Sequence, residues 1–330
     1  MSRGRRFRKR FTISMILSAG VFAILSIYSD LPELKKSFLS FSWRYLPLVT
    51  VLVFLNYVIR FFKWDHYLKL LNIKLSRSES FSIFMSGMIM TVTPGKFGEV
   101  LKSYLLKKVN HTSISKSSPI ILAERITDLL AFCLLAGIGS YSLHKGEKVI
   151  TAGLVVIGLI IFIIGRKPTF IAILNFFKRI PFVAKHSSKL ERAYDSAANL
   201  LALKNILFPT IISIPSWFSE CLAFYFILSG LGCEVTLFKA TFIYCISTII
   251  GALSMLPGGL GAMETSMTGM LILAGVKKSS AVAGTILIRC FTLWFAVITG
   301  AFFFYLNHKR FGDIDDAIEE SSKSEIAEQG

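Results

Sequence analysis

Thr-Val-Thr-Pro-Gly-Lys-Phe-Gly-Glu-Val at residues 91–100 and Ser-Met-Leu-Pro-Gly-Gly-Leu-Gly-Ala-Met-Glu at 254–264 are one element written twice. Each is Pro-Gly-x-x-Gly followed within a few residues by a glutamate, and each interrupts an apolar run. The run before the first break, Phe81 to Val92, and the arm after it, Gly98 to Leu106, are both shorter than the about 20 apolar residues a spanning helix needs. The correspondence continues downstream. Lys116-Ser117-Ser118 leads to Arg125 inside the next apolar segment, and Lys278-Ser279-Ser280 leads to Arg289 inside its counterpart. The separation is 31 residues from Pro94 to Arg125 and 32 from Pro257 to Arg289. Two broken segments, each followed by a helix carrying an arginine, predict an internal duplication. Paired segments interrupted by Gly and Pro are also the sequence mark of a transporter's binding site.

Composition sets the class. The 330-residue chain is 53% hydrophobic, its mean hydropathy is +0.62, and apolar runs recur from residue 11 to residue 306, so one polytopic all-α membrane domain is expected. The net charge of +17 suggests a nucleic-acid partner only until its placement is considered, because the bases gather in loops between apolar segments. The five cysteines form no CxxC or ligand-like cluster, which leaves neither a disulfide framework nor a zinc site in prospect. No cofactor and no metal are expected.

From the N-terminus, residues 1–10 are a basic segment, and the run from Phe11 to Tyr28 has no A-x-A-like site after it, so an uncleaved first spanning helix is expected. Further spans follow at about 45–62, 119–141, 149–165, 206–230 and 280–306, with broken hairpins at about 80–108 and 238–275. Repeat 1 is then about 45–141 and repeat 2 about 206–306. Between them, Phe170, Ile173, Leu174 and Phe177, and then Leu190, Ala193, Tyr194, Ala197 and Leu201, fall at helical spacing. The connection at 166–205 therefore reads as two amphipathic helices, either lying on an anionic leaflet or serving as a plain connector. Pro209 and Pro215 predict a kink near Glu220. Residues 307–330 form an acidic tail expected to be disordered.

Loop charge orients this topology. The side that includes the N-terminus collects 26 Lys and Arg against 8 on the other, with Lys96, Arg125 and Arg289 left within the membrane. The asymmetry predicts cytoplasmic N- and C-termini, and the absence of a transit peptide fits a prokaryotic plasma membrane. An odd number of spans separates the hairpins, so they open from opposite faces. The duplication is then inverted, the architecture by which one site is exposed to either side in turn.

Eight charges fall at membrane depth: Lys96, Glu99, Glu124, Arg125, Asp128, Glu220, Glu264 and Arg289. Each costs about 2.5–3.5 kcal/mol on insertion scales unless paired or wet, which makes each a candidate for function. Two readings stand: the charges neutralise one another to hold helices together, or they serve a ligand. For a ligand the breaks are suggestive. Pro94 and Pro257 end helices, and Gly95, Gly98, Gly258, Gly259 and Gly261 permit a new helix start with free N–H groups and a positive dipole end, a setting for an anion. Lys96 lies beside one such start, and Arg125 and Arg289 have the geometry to clamp a phosphate. Glu99 and Glu264 have two roles open, as partners of these bases or as carboxylates favoured by the dipole of their own helix. With Glu124, Asp128 and Glu220 they are the candidates for gating ion pairs or proton carriage. HExxH, GxSxG and Walker A patterns are absent, and no catalytic residue is singled out.

Together these residues resemble the flippase-like membrane family that includes the transmembrane region of lysylphosphatidylglycerol synthases, with archaeal relatives linked to lipid-linked glycan assembly. The matching pieces are Arg60 with Trp64, Pro94-Gly95-Lys96-x-Gly98-Glu99, Glu124-Arg125-x-x-Asp128, Pro257-Gly258-Gly259-x-Gly261 with Glu264, and Arg289-x-x-Thr292-Leu293-Trp294. The resemblance covers about residues 11–306 and implies a lipid-translocating domain. The synthases' soluble aminoacyl-transfer domain has no counterpart in this sequence, so the chain is not expected to be an enzyme. The leading expectation is a flippase or transporter for an anionic phospholipid or polyprenyl-phosphate-linked lipid. The alternative is a membrane accessory subunit that presents lipid to a separate synthase or glycosyltransferase. An intramembrane enzyme acting on lipid phosphate would be a third, but it lacks a recognisable nucleophile. Partners under these readings are an anionic lipid, a lipid-modifying enzyme and a second copy of the chain.

Overall fold

The computed structural model describes residues 4–92, 99–140 and 194–311, together with Thr151, Val155 and Gly158. The described residues form helices and their connections. In chain order these are α1 (Gly4–Tyr28), α2 (Leu31–Leu39), α3 (Leu46–Leu70), α4 (Arg77–Gly87) with a 3₁₀ extension Met88–Val92, α5 (Val100–Asn110), α6 (Ile114–Ser117) and α7 (Pro119–Ser140). After them come α8 (Leu203–Gly230), α9 (Leu237–Leu253), α10 (Ala262–Leu273), α11 (Lys278–Arg289), a π-helical turn Cys290–Trp294, α12 (Phe295–Leu306) and α13 (His308–Phe311).

Three stretches are long and apolar enough to cross a bilayer: Trp43–Leu70, Leu203–Gly230 and Lys278–Leu306. The 22-residue α7 has comparable length but carries Glu124, Arg125 and Asp128. The arms of the two hairpins are shorter. The 11 residues each of α4 and α5 rise about 16 Å, and the 17 and 12 of α9 and α10 about 26 and 18 Å, against about 30 Å of hydrocarbon. The fourth span at 149–165, apart from three residues, the first part of the amphipathic connection, and the tail beyond Phe311 lie outside the described residues.

Local chemistry sets the boundaries. A capping box starts α4, with the Ser76 hydroxyl taking the Glu79 N–H and the Glu79 carboxylate taking the Ser76 N–H, both at 3.3 Å. Thr236 caps α9 through the Lys239 N–H. One expectation needs correction. The second span does not end near Phe62, because α3 continues two turns further to Leu70, with Lys63, Trp64, Tyr67 and Leu68 buried along it. Pro209 and Pro215 both lie inside α8, which is continuous from Leu203 to Gly230. The end of the amphipathic connection also differs from a leaflet-bound helix. Tyr194, Ala197, Leu200 and Leu201 are buried, and Asn199 donates to the Leu70 carbonyl at 3.2 Å, so this face is turned onto the protein.

Packing links the helices around the two Pro-Gly segments reciprocally. The two spans that precede the hairpins, α3 and α8, lie against each other, locked where Asn56 donates to the carbonyl and hydroxyl oxygens of Ser216, both at 2.9 Å. The helices that follow the two Pro-Gly segments exchange partners: α7 lies on α9, and α12 lies on α4 and its 3₁₀ extension. Each exchange is a close approach at a glycine. A methyl group on Gly139 would meet the Phe238 carbonyl and Phe242 N–H of α9 at 2.8 Å, and one on Gly300 would overlap the Ile89 backbone. Rigid backbone is the obstacle in both cases, so Gly300→Ala is expected to lower stability by about 1–3 kcal/mol. This reads out as a fall in the unfolding midpoint of the detergent-solubilised protein.

Candidate functional site

Between α3, α4, α5, α7, α8, α9 and α11 lies a cavity of about 440 Å³. Arg60 of α3, Lys102 of α5, Arg125 and Asp128 of α7, Glu220 of α8 and Arg289 of α11 all contribute to its wall, with Glu99 beside them. The backbone of Gly258 and Gly259 at the second break completes that wall. Its lip is apolar and open, since Leu122, Leu253, Met255 and Leu256 line it while 44%, 72%, 56% and 46% exposed.

Among the described residues the charges form four close ion pairs. Arg125 reaches both carboxylate oxygens of Glu99 through one nitrogen at 2.7 Å, and its other terminal nitrogen stands 3.9 Å from Asp128. Arg289 donates to Glu264 at 2.5 Å and to the Gly258 carbonyl at 2.6 Å, and rests on the Met263 sulfur at 3.3 Å. In each of these two pairs, an arginine of a later helix meets a glutamate that follows a Pro-Gly segment. The other two pairs involve lysines that sequence reasoning assigned to cytoplasmic loops. Lys63 is fully buried and binds Asp128, and Lys102, 3% exposed, binds Glu124.

The Asp128 hub is the most connected of these. The same oxygen that takes Lys63 also accepts from the Trp217 indole at 2.7 Å and the Ser213 hydroxyl at 3.2 Å. Lys63 in turn donates to Ser213 at 2.8 Å. Three helices, α3, α7 and α8, are therefore tied at one carboxylate. Lys102 lies over the rings of Trp64 and Phe84, 4.7 and 5.4 Å from their centroids, a cation–π setting that complements its ion pair. Its stem runs so close to Gly87 that any side chain there would displace it.

At the second break, Gly258, Gly259 and Gly261 have φ of 60°, 68° and 86°, the left-handed region that glycine enters without steric cost. Gly261 precedes α10, and its N–H donates to Glu264 at 2.7 Å. Of the two roles open for Glu264 the structure contains both: it caps its own helix and neutralises Arg289. The free N–H expected at this helix start is thus met by the protein's own carboxylate. Glu99 precedes α5 but makes no side-chain cap, turning instead to Arg125.

Of the candidates named from sequence, Glu99, Arg125, Asp128, Glu220, Arg289, Gly258 and Gly259 share the cavity wall. Glu124 and Glu264 stand behind it as counter-ions, with Pro257 and Gly261 in the turn that shapes it. Glu220 accepts from the Tyr244 hydroxyl. Pro94, Gly95, Lys96 and Gly98 lie outside the described residues. Sequence reasoning missed Lys63, Lys102, Trp217 and Tyr244 and gave Arg60 no role. The available signal was the spacing Arg60, Lys63/Trp64, Tyr67, one helical face continuing past the apolar window. Among the described residues no group of three or more His, Cys, Asp or Glu could hold a metal ion.

Comparison with known proteins matches this architecture to one family. The family model described as the lysylphosphatidylglycerol synthase TM region matches residues 13–300. A UPF0104 membrane protein of Methanocaldococcus jannaschii is 28% identical over 225 residues, 66% of this chain and 93% of that protein. Another, from Pyrococcus horikoshii, is 25% identical over 324 residues, 89% and 96% of the two chains. The phosphatidylglycerol lysyltransferase of Bacillus subtilis is 24% identical over 255 residues, 69% of this chain but 30% of that larger protein.

Proposed function

The chain belongs to the family of the lysylphosphatidylglycerol synthase transmembrane region, and from that premise we propose that it moves an anionic lipid between the leaflets of a prokaryotic plasma membrane. The observation that carries this reading is the cavity itself: charged walls drawn from both repeats and an exposed apolar lip. An amphiphile matches both features, with a phosphate among the bases and acyl or prenyl chains across the lip. A soluble anion would have no use for the lip.

In this reading Lys96, Arg125 and Arg289 hold the phosphate, and Glu99, Asp128, Glu220 and Glu264 serve as counter-ions between cycles or carry protons. Six spans and two re-entrant hairpins form an inverted repeat with both termini cytoplasmic. The exchange of packing partners and the equivalent Arg125–Glu99 and Arg289–Glu264 pairs support the duplication. Alternating exposure then consists of opening one repeat's pair toward one face while the other stays closed. The B. subtilis relative is named for phosphatidylglycerol, and that lipid is the natural first probe. The Lys and Arg of the cavity are its headgroup's complement.

Mass spectrometry of lipid retained by the full chain in mild detergent, paired with a leaflet-exchange assay of fluorescent phosphatidylglycerol in reconstituted vesicles, tests the reading. Enrichment of an anionic lipid and protein-dependent exchange are expected. Exchange at the rate of empty vesicles, with a lipid-modifying enzyme or glycosyltransferase co-purifying, would favour the accessory role instead.

A further inference from the structure

Among the described residues these four close ion pairs leave one base of the cavity wall without a carboxylate. Lys102, Arg125 and Arg289 each hold a carboxylate. Arg60, half-buried in the same wall, has none within ion-pair distance among the described residues, and its Nε is buried without a hydrogen-bond partner. Its guanidinium lies over the Trp217 ring, 5.2 Å from the centroid. That contact engages the charge through the ring quadrupole but uses none of its five N–H donors. The ring is held firmly: Asp128 accepts its indole N–H at 2.7 Å, and Phe132 lies against it with centroids 4.5 Å apart. Arg60 is thus a positioned cation with no hydrogen bond to a described residue, one turn before the buried Lys63 on the same helix.

An incoming phosphate meets unequal bases here. To give Arg125 or Arg289 fully to an oxyanion, Glu99 or Glu264 must first be released from its partner. Arg60 has no such bond to break. We infer that Arg60, seated on Trp217, contacts the phosphate oxyanion of the ligand and does so before either arginine–glutamate pair opens. This rests on the reading of the cavity as a site for an anionic headgroup and adds to it a residue and an order of events. Trp217 acts as a positioning residue, and Asp128 acts through it.

The test uses the full chain in mild detergent with three probes: short-chain phosphatidylglycerol, inorganic phosphate, and a short-chain diacylglycerol lacking phosphate. By titration calorimetry, R60Q is expected to bind the phospholipid about tenfold or more weakly than the wild type, with diacylglycerol unaffected. A second measurement needs no variant. Phenylglyoxal labelling of wild-type protein, mapped by mass spectrometry, should show Arg60 protected by phosphatidylglycerol and not by diacylglycerol. Protection by inorganic phosphate at equal concentration also supports the contact and identifies the free ion as a sufficient source of it. Wild-type affinity in R60Q alongside weakened binding in R125Q would overturn this inference and leave the cavity assignment standing. Arg60 labelled freely under saturating phospholipid would do the same. Should wild-type protein bind no anionic probe, the inference and the reading beneath it both fall.

Discussion

Asp128→Leu is expected to cost about 3–5 kcal/mol of stability, the largest effect of any single substitution in the cavity wall. Removing the carboxylate strands the ammonium of Lys63 in a site with no exposure at all. It also takes the acceptor from the Trp217 indole and from Ser213. Lys63→Met should cost a similar amount by the mirror argument, leaving Asp128 buried without its base. The informative variant is the double one. With both charges gone no ion is buried unpaired, and replacement of a buried pair by apolar side chains is often neutral. The Trp217 N–H would still lack a partner, which leaves a residual cost of about 1–3 kcal/mol. A double-mutant cycle by denaturant or thermal unfolding in detergent should therefore show strong positive coupling. Additive losses would mean that Lys63 and Asp128 do not act as a pair, and the hub joining α3, α7 and α8 would have to be redrawn.

This hub marks where the sequence was legible and where it was not. The Pro-Gly breaks, the two arginines 31 and 32 residues beyond them, and the carboxylates beside them could be read directly, because charge inside an apolar run has few explanations. The structure brings Glu99, Arg125, Asp128, Glu220 and Arg289 to one cavity with the backbone of Gly258 and Gly259. Lys63 and Lys102 escaped notice for the complementary reason. Each sits at the edge of an apolar window, where a lysine ordinarily marks the membrane surface. Only the continuation of α3 to Leu70 and the fold of α5 onto α4 carry these side chains inward. Their removal from the loops, with half-buried Arg60, reduces the basic excess on that side without reversing it. The identity of each ion partner was likewise beyond one-dimensional reach. Arg125 follows Glu124 directly, yet neighbours in a helix point about 100° apart. Glu124 turns to Lys102, while Arg125 reaches Glu99 across the hairpin. Trp217 could have been noticed as an aromatic near Glu220, but nothing in its local sequence says that it would carry Arg60 on its face.

Arg125→Ala is expected to lower phosphatidylglycerol exchange in reconstituted vesicles by about two orders of magnitude, the loss of one or two charge-assisted hydrogen bonds to phosphate. Arg289→Ala would be the matching experiment at the second Pro-Gly segment, but the two sites differ physically. The Arg289 side chain is 6% exposed, and its loss leaves Glu264 wholly buried with only the Gly261 N–H and abandons the Gly258 carbonyl. Falling activity in that variant would be entangled with falling stability. The side chain of Arg125 is 26% exposed and that of Glu99 8%, so solvent in the cavity can take over part of the lost interaction. Folding should survive Arg125→Ala, checked by an unchanged gel-filtration profile and a modest shift in unfolding midpoint. Glu99→Gln then separates two roles for the same pair. If Glu99 serves only to hold Arg125 in place, neutralising it should depress exchange as Arg125→Ala does. If it is the counter-ion that the phosphate displaces, Glu99→Gln should bind the lipid more tightly while exchanging it more slowly, because the anion no longer has a competitor to drive its release. Exchange at the wild-type rate in Arg125→Ala would remove Arg125 from the phosphate site and leave it as a strut between α7 and the first hairpin.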